Sequence, residues 1–131
     1  MKMKKIATFI AMLFISTIGF AQSGPKIEFQ QAENTIDYGK IYKQNDNGVR
    51  SFVFTNTGDA PLNIIAIQST ASCTITYKPS KPILPGKTDK IEIKYNMVPG
   101  PIRKTITVET NAVNYDDGRV PLKIKGEVLT N

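Results

Sequence analysis

The sequence contains no histidine and no tryptophan, and only one cysteine, Cys73. Without histidine the commonest general base and metal ligand is missing, which excludes serine–histidine and cysteine–histidine mechanisms. A lone cysteine excludes an internal disulfide, so a fold of this size must be held by packing. Long helical patterns are also missing: beyond Lys26 no apolar repeat at helical spacing outlasts a turn or two. Carboxylates are present, but Glu28, Glu92, Glu109 and Glu127 fall at polar positions of strand-like patterns. No residue set offers a nucleophile, a base and a group to orient them, and the expectation is that the chain is not an enzyme.

What is there begins with a targeting pattern. A basic head, Met1-Lys2-Met3-Lys4-Lys5, precedes an apolar run from Ile6 to Phe20, with small Gly19 and Ala21 flanking Phe20. The apolar run is shorter than the roughly 20 residues of a membrane-spanning helix and has the layout of a secretory signal peptide. We expect residues 1–21 to be cleaved, leaving residues 22–131 as one periplasmic or secreted domain with no membrane span. No cysteine follows the expected cut, which argues against a lipid anchor. Without Lys2, Lys4 and Lys5 the formal charge falls from +6 to +3. The remaining lysines are spread along the chain, and with export this argues against a nucleic-acid partner.

Short alternating runs recur with turn signals every 8 to 12 residues, the spacing of an all-β sandwich. Ile27 and Phe29 open the series, and Ile36 to Tyr42 continues it across Gly39, where a bulge is expected. Asn45-Asp46-Asn47-Gly48 is a turn. Phe52 to Tyr77 is the organising stretch, two apolar runs hinged at Thr57-Gly58-Asp59-Ala60-Pro61 that suggest a central strand pair with Phe52, Phe54, Leu62, Ile64 and Ile67 in the core. Ile91, Ile93 and Tyr95 alternate with Lys90, Glu92 and Lys94, giving one buried and one wet face. Strands around 105–109 and along Val120, Leu122, Ile124 and Val128 close the domain. The expected fold is an immunoglobulin-like, Greek-key antiparallel β-sandwich of seven or eight strands, with a small antiparallel barrel as the alternative.

The order Ile36-Asp37-Tyr38-Gly39-Lys40-Ile41, then Phe52 through Ile64 with Asn56-Thr57-Gly58 at its turn, then Ser72-Cys73, resembles a family of exported bacterial immunoglobulin-like domains of unknown function. Pro82 to Lys87, Ile91 to Tyr95, Lys104 to Val108 and Leu122 to Gly126 extend the likeness over nearly the whole of residues 22–131. The resemblance implies a sandwich related to abnormal-spindle, hydin and major-sperm-protein domains, which bind partners without catalysing reactions. That family usually carries Cys-Gly-Cys where this chain has Cys73-Thr74-Ile75. Ile75 thus removes one of two ligands that a metal or thiol-exchange role would need.

The candidate sites follow. Cys73, with help from Met97, could bind copper or act as a thiol, against the plainer reading that it packs as a small apolar side chain. The turns at Asp46-Asn47-Gly48 and Asp116-Asp117-Gly118 lack the ordered oxygens of a calcium loop. Lysines on the wet strand faces read as edge protection and solubility. No cofactor is expected. A protein or cell-envelope partner is expected to be engaged by an exposed sheet edge or by two loops, one holding Lys78, Pro79, Pro82, Pro85 and Gly86 and one holding Pro99, Gly100 and Pro101.

Overall fold

The computed structural model describes residues 23–130, and the expected signal peptide lies outside them. Eight strands run in chain order: β1 Ile27–Phe29, β2 Thr35–Tyr42, β3 Val49–Asn56, β4 Ile64–Gln68, β5 Cys73–Tyr77, β6 Thr88–Tyr95, β7 Gly100–Thr110 and β8 Arg119–Leu129. They form two four-stranded sheets ordered β1-β3-β6-β5 and β2-β8-β7-β4. If β1 and β2 are read as one first strand split between the sheets, this is the immunoglobulin arrangement of a four-stranded sheet facing a three-stranded one.

Two expectations need correction. The runs of Phe52 to Tyr77 are not a strand pair, because β3 is central in one sheet and β4 is an edge of the other. The hinge carries the chain between layers: Leu62 leaves it in a bridge to Ile83 and is fully buried, whereas Ile64 and Ile67 are only half-buried. The sandwich is also not wholly antiparallel. β2 lies parallel to β8, from Thr35 opposite Lys123 to Tyr42 opposite Leu129, with a register shift between Asp37 and Lys40. Gly39 sits in that shift with φ of +70°, as its place in the pattern suggests.

The core lies between the layers. Ile27, Phe29, Phe52, Phe54, Ile91, Ile93 and Tyr95 face it from one sheet; Ile106, Val108, Val120, Leu122 and Ile124 face it from the other. Alternation puts them there: β6 reads Ile91, Ile93 and Tyr95 inward, and β8 reads Val120, Leu122 and Ile124 inward. Phe29 packs edge-on against Phe52 at 6.2 Å and tilted against Phe54 at 5.4 Å. Fully burying side chains of this size contributes about 1.5–3 kcal/mol each.

One end is fastened by Asn56. This fully buried side chain accepts from the Gly58 and Lys26 amides at 2.9 and 3.3 Å and donates to the Ala60 and Ile83 carbonyls at 2.8 Å each. Gly58 lets the chain before β1 approach, since a Cβ there would lie 2.1 Å from the Gly24 carbonyl oxygen. The other end is fastened by Tyr38, whose hydroxyl donates to the Gly48 carbonyl at 2.7 Å. The Arg50 guanidinium stacks 4.3 Å from the centre of the Tyr38 ring and holds Asp46 through two bonds of 2.8 and 3.1 Å.

Candidate functional site

A sandwich of two open sheets has four edge strands, and each presents backbone groups that another chain could pair with. Here they are β1 and β2 on one side and β4 and β5 on the other. The first side is closed by the chain itself. Beside β1, the Asn114 amide accepts from the Ile27 N–H at 3.1 Å and donates to the Ile27 carbonyl at 2.9 Å, imitating a neighbouring strand. The Val113 N–H adds a bond to the Pro25 carbonyl at 2.8 Å. β2 is interrupted by the bulge at Gly39 and carries exposed Asp37 and Lys40, features that discourage strand pairing.

The second side is open. Backbone groups of Ile64–Gln68 pair with β7, and among the described residues they have no partner on their other flank. A bulge between Ile64 and Ala66 turns Ile65 outward, where it is 59% exposed. Facing it across the gap between the sheets is β5, with Ile75 half-buried and Tyr77 exposed. Ile65, Ile67, Ile75 and Tyr77 line a groove of about 460 Å³ between the two edges. The Tyr77 ring is steadied by a bond from its hydroxyl to the Asp89 carboxylate at 3.2 Å and by the Lys90 ammonium 5.7 Å from its centre.

Five residues on each edge span about 17 Å, room for one short extended segment. The adjacent isoleucines 64 and 65 were the signal in the sequence, since alternation can bury only one of two neighbours.

The two loops expected to bind do not come together. Lys78–Gly86 leads into one end of β6 and Asn96–Pro99 leaves the other. The first adjoins the open side, because Tyr77 also borders a second groove of about 360 Å³ with Pro82, Leu84 and Lys87. Pro82, Pro85 and Gly86 are exposed there, but Pro79 is buried and anchors the loop. In the second loop Pro99 is exposed. Gly100 and Pro101 belong instead to β7, opposite Val128 and Glu127. Proline is tolerated at that point because β4 stops at the level of Thr107 and no strand there requires its missing N–H.

Cys73 is buried opposite Tyr95. Burial pushes its thiol up, only partly offset by a hydrogen bond from Ser69 and the charge of Lys104, so the reactive thiolate is disfavoured. Met97 is buried too, at φ of +59°. Elsewhere, burial pushes the Tyr38 phenol up to about 12, and the Arg50 hydrogen bond lowers Asp46. Asp46 also accepts from the Gly48 amide, so that acidic turn is used locally; the other bends through Asp117 at φ of +53° and is closed by the Gly118 N–H on the Tyr115 carbonyl at 3.0 Å.

No curated protein matches the chain in sequence. Among solved structures it is similar in fold to a protein of unknown function from Porphyromonas gingivalis W83, with TM-score 0.65 and 17% identity over 82% of this chain. It is also similar to the ASH / PapD-like domain 7 of human CEP192, with TM-score 0.55 and 9% identity over 99% of both chains. The Vibrio cholerae VesB protease matches at TM-score 0.56 and 11% identity over 80% of this chain. The chain spans about half (48%) of the Porphyromonas protein and about a third (32%) of the protease, and identities this low speak for the fold alone. The model for the family described as Protein of unknown function (DUF1573) matches residues 27–128, and the chain belongs to that family.

Proposed function

We propose that this is an exported, non-enzymatic binding domain that receives an extended segment of a protein or envelope component along the open side formed by β4 and β5. One observation carries the reading: the chain closes the β1/β2 side with Asn114 and a bulge, yet among the described residues the outer flank of β4 has no backbone partner, with Ile65 exposed on it and Tyr77 exposed on β5 across the groove. Strand addition suits such a side, because main-chain bonds supply affinity and alternate side chains enter the groove. The likeness to a PapD-like domain fits a fold that works by contact rather than catalysis. The absence of histidine and the burial of the one thiol point the same way.

The test uses envelope extract with the purified protein as bait and a photo-crosslinker at position 65. A partner joined at that position should protect the amides of β4 and β5 from hydrogen exchange. Its binding should fall at least tenfold in an Ile65→Asp/Tyr77→Ala variant, whose changes lie at exposed positions and should leave the fold intact. Equal capture by the double variant, or protection confined to the loop at 96–99, would overturn the reading.

A further inference from the structure

The open side carries a charge pattern of its own. From Ala60 to Tyr77 the chain has no charged residue, so neither β4, the turn at 69–72 nor β5 bears one. Lysine within an edge strand deters pairing, and here it is withheld from both edges. Basic residues begin directly afterwards. Lys78 lines the groove between β4 and β5, and Lys81 and Lys87 line the second groove, which shares Tyr77 with the first. All three are exposed.

The nearby acids are already engaged. Asp89, the one acid lining either groove, accepts from the Tyr77 hydroxyl at 3.2 Å and from the Lys90 N–H at 2.8 Å. Glu92 takes the Thr76 hydroxyl at 2.9 Å and lies 3.8 Å from the Lys90 ammonium. Glu109 takes the Gln68 amide at 2.6 Å and lies 3.6 Å from the Arg119 guanidinium. No ion pair of the described residues includes Lys78, Lys81 or Lys87. The two grooves therefore hold three unpaired lysines against one occupied carboxylate.

Strand direction puts this charge at one end of a bound segment. The short turn at 69–72 ends β4 and starts β5, so Ile64 and Tyr77 lie together at the far end, where the lysines stand. A segment pairing antiparallel with β4, the slightly stronger arrangement, enters beside Gln68 and leaves beside Ile64. Its first part meets Ile65, Ile67, Ile75 and Tyr77, and the residues that follow meet the lysines. We infer, resting on the strand-addition reading of this side, that the segment received there is apolar at alternate positions and acidic in the residues that follow. A basic continuation would set like charges together. Carboxylates suit ammonium groups on flexible stems, which can follow an acidic tail without demanding one fixed geometry.

Three peptides test this, sharing the pairing stretch and differing in the tail: acetyl-GTVTVSDEE-amide, acetyl-GTVTVSNQQ-amide and acetyl-GTVTVSKKK-amide. Each is titrated into the purified protein and followed by amide chemical shifts. All should shift the amides of β4, with the acidic peptide binding about tenfold tighter than the neutral one and the basic peptide weakest, since three exposed charge pairs each add little. Added salt should shrink these differences. Lys78→Gln/Lys81→Gln/Lys87→Gln, at exposed positions, should bring the acidic peptide to the affinity of the neutral one and leave the neutral one unchanged. Equal binding of the three peptides, or an undiminished preference in the triple variant, would overturn the inference and leave strand addition standing. Binding of none, or β4 shifts that depend on protein concentration without peptide and so assign the edge to a second copy of this chain, would overturn both.

Discussion

Asn56 shows what one side chain can hold in a domain without a disulfide. Its amide replaces four backbone contacts among the turn after β3, the chain before β1 and the loop before β6. Asn56→Ala strands buried donors and acceptors at once, and each unsatisfied group costs about 1–3 kcal/mol before water relieves some of them. The expected loss is about 3 kcal/mol by denaturant titration, and a loss below about 1 kcal/mol would show that the ends are held by other means. Tyr38 at the opposite end gives a pH signature. Burial raises its phenol from 10.0 to about 12, so folding favours the neutral form. That contribution is complete below about pH 10, where the unfolded tyrosine is also protonated, and is lost as pH climbs toward 12. Tyr38→Phe should flatten this alkaline decline in the melting temperature relative to wild type, while lowering stability near neutrality because the Gly48 carbonyl loses its donor.

At the level of strands, alternation was enough to place most of the core: Phe52, Phe54, Ile91, Ile93, Tyr95, Val120, Leu122 and Ile124 face inward as the pattern requires. The turn after Asn56 and the bulge at Gly39 were legible too, since each rests on local backbone chemistry. Sheet membership was not. Ile64 to Ile67 is as apolar as a central strand, yet it lies in an edge strand, because nothing local records which layer a crossing chain joins. The candidate site depends on that membership, so only the isoleucine pair at 64 and 65 hinted at it. Asn114 was equally hidden, an ordinary loop residue until Ile27 lies beside it, 87 positions away in sequence. Its role predicts a local effect. Asn114→Ala should lower stability by about 1–2 kcal/mol and speed amide exchange at Ile27 far more than at β6, because two bonds along one edge are lost. Uniform acceleration across both sheets would instead mean that β1 unfolds only with the whole domain.

Across the whole molecule, β8 is what makes the fold a single unit. It pairs antiparallel with β7 along ten positions and parallel with β2, joining residues near the start of the described chain to residues near its end. Its inward side chains Val120, Leu122, Ile124 and Val128 are all buried. A chain ending at Gly118 would keep the first sheet's four strands, but it would leave β2 without a neighbour and open the core along one layer. Neither sheet can then bury its inner face, and side chains worth about 1.5–3 kcal/mol each are removed from a domain whose net stability is typically about 5–15 kcal/mol. We therefore expect truncation after Gly118 to abolish cooperative unfolding, with near-ultraviolet dichroism lost and exposed apolar surface detected by dye binding. Adding residues 119–131 as a separate peptide should restore the transition, because β8 enters an already specified slot between β2 and β7. A truncated chain that still melted in one sharp transition would show that the first sheet and β7 suffice, and that β8 completes the sandwich without deciding it.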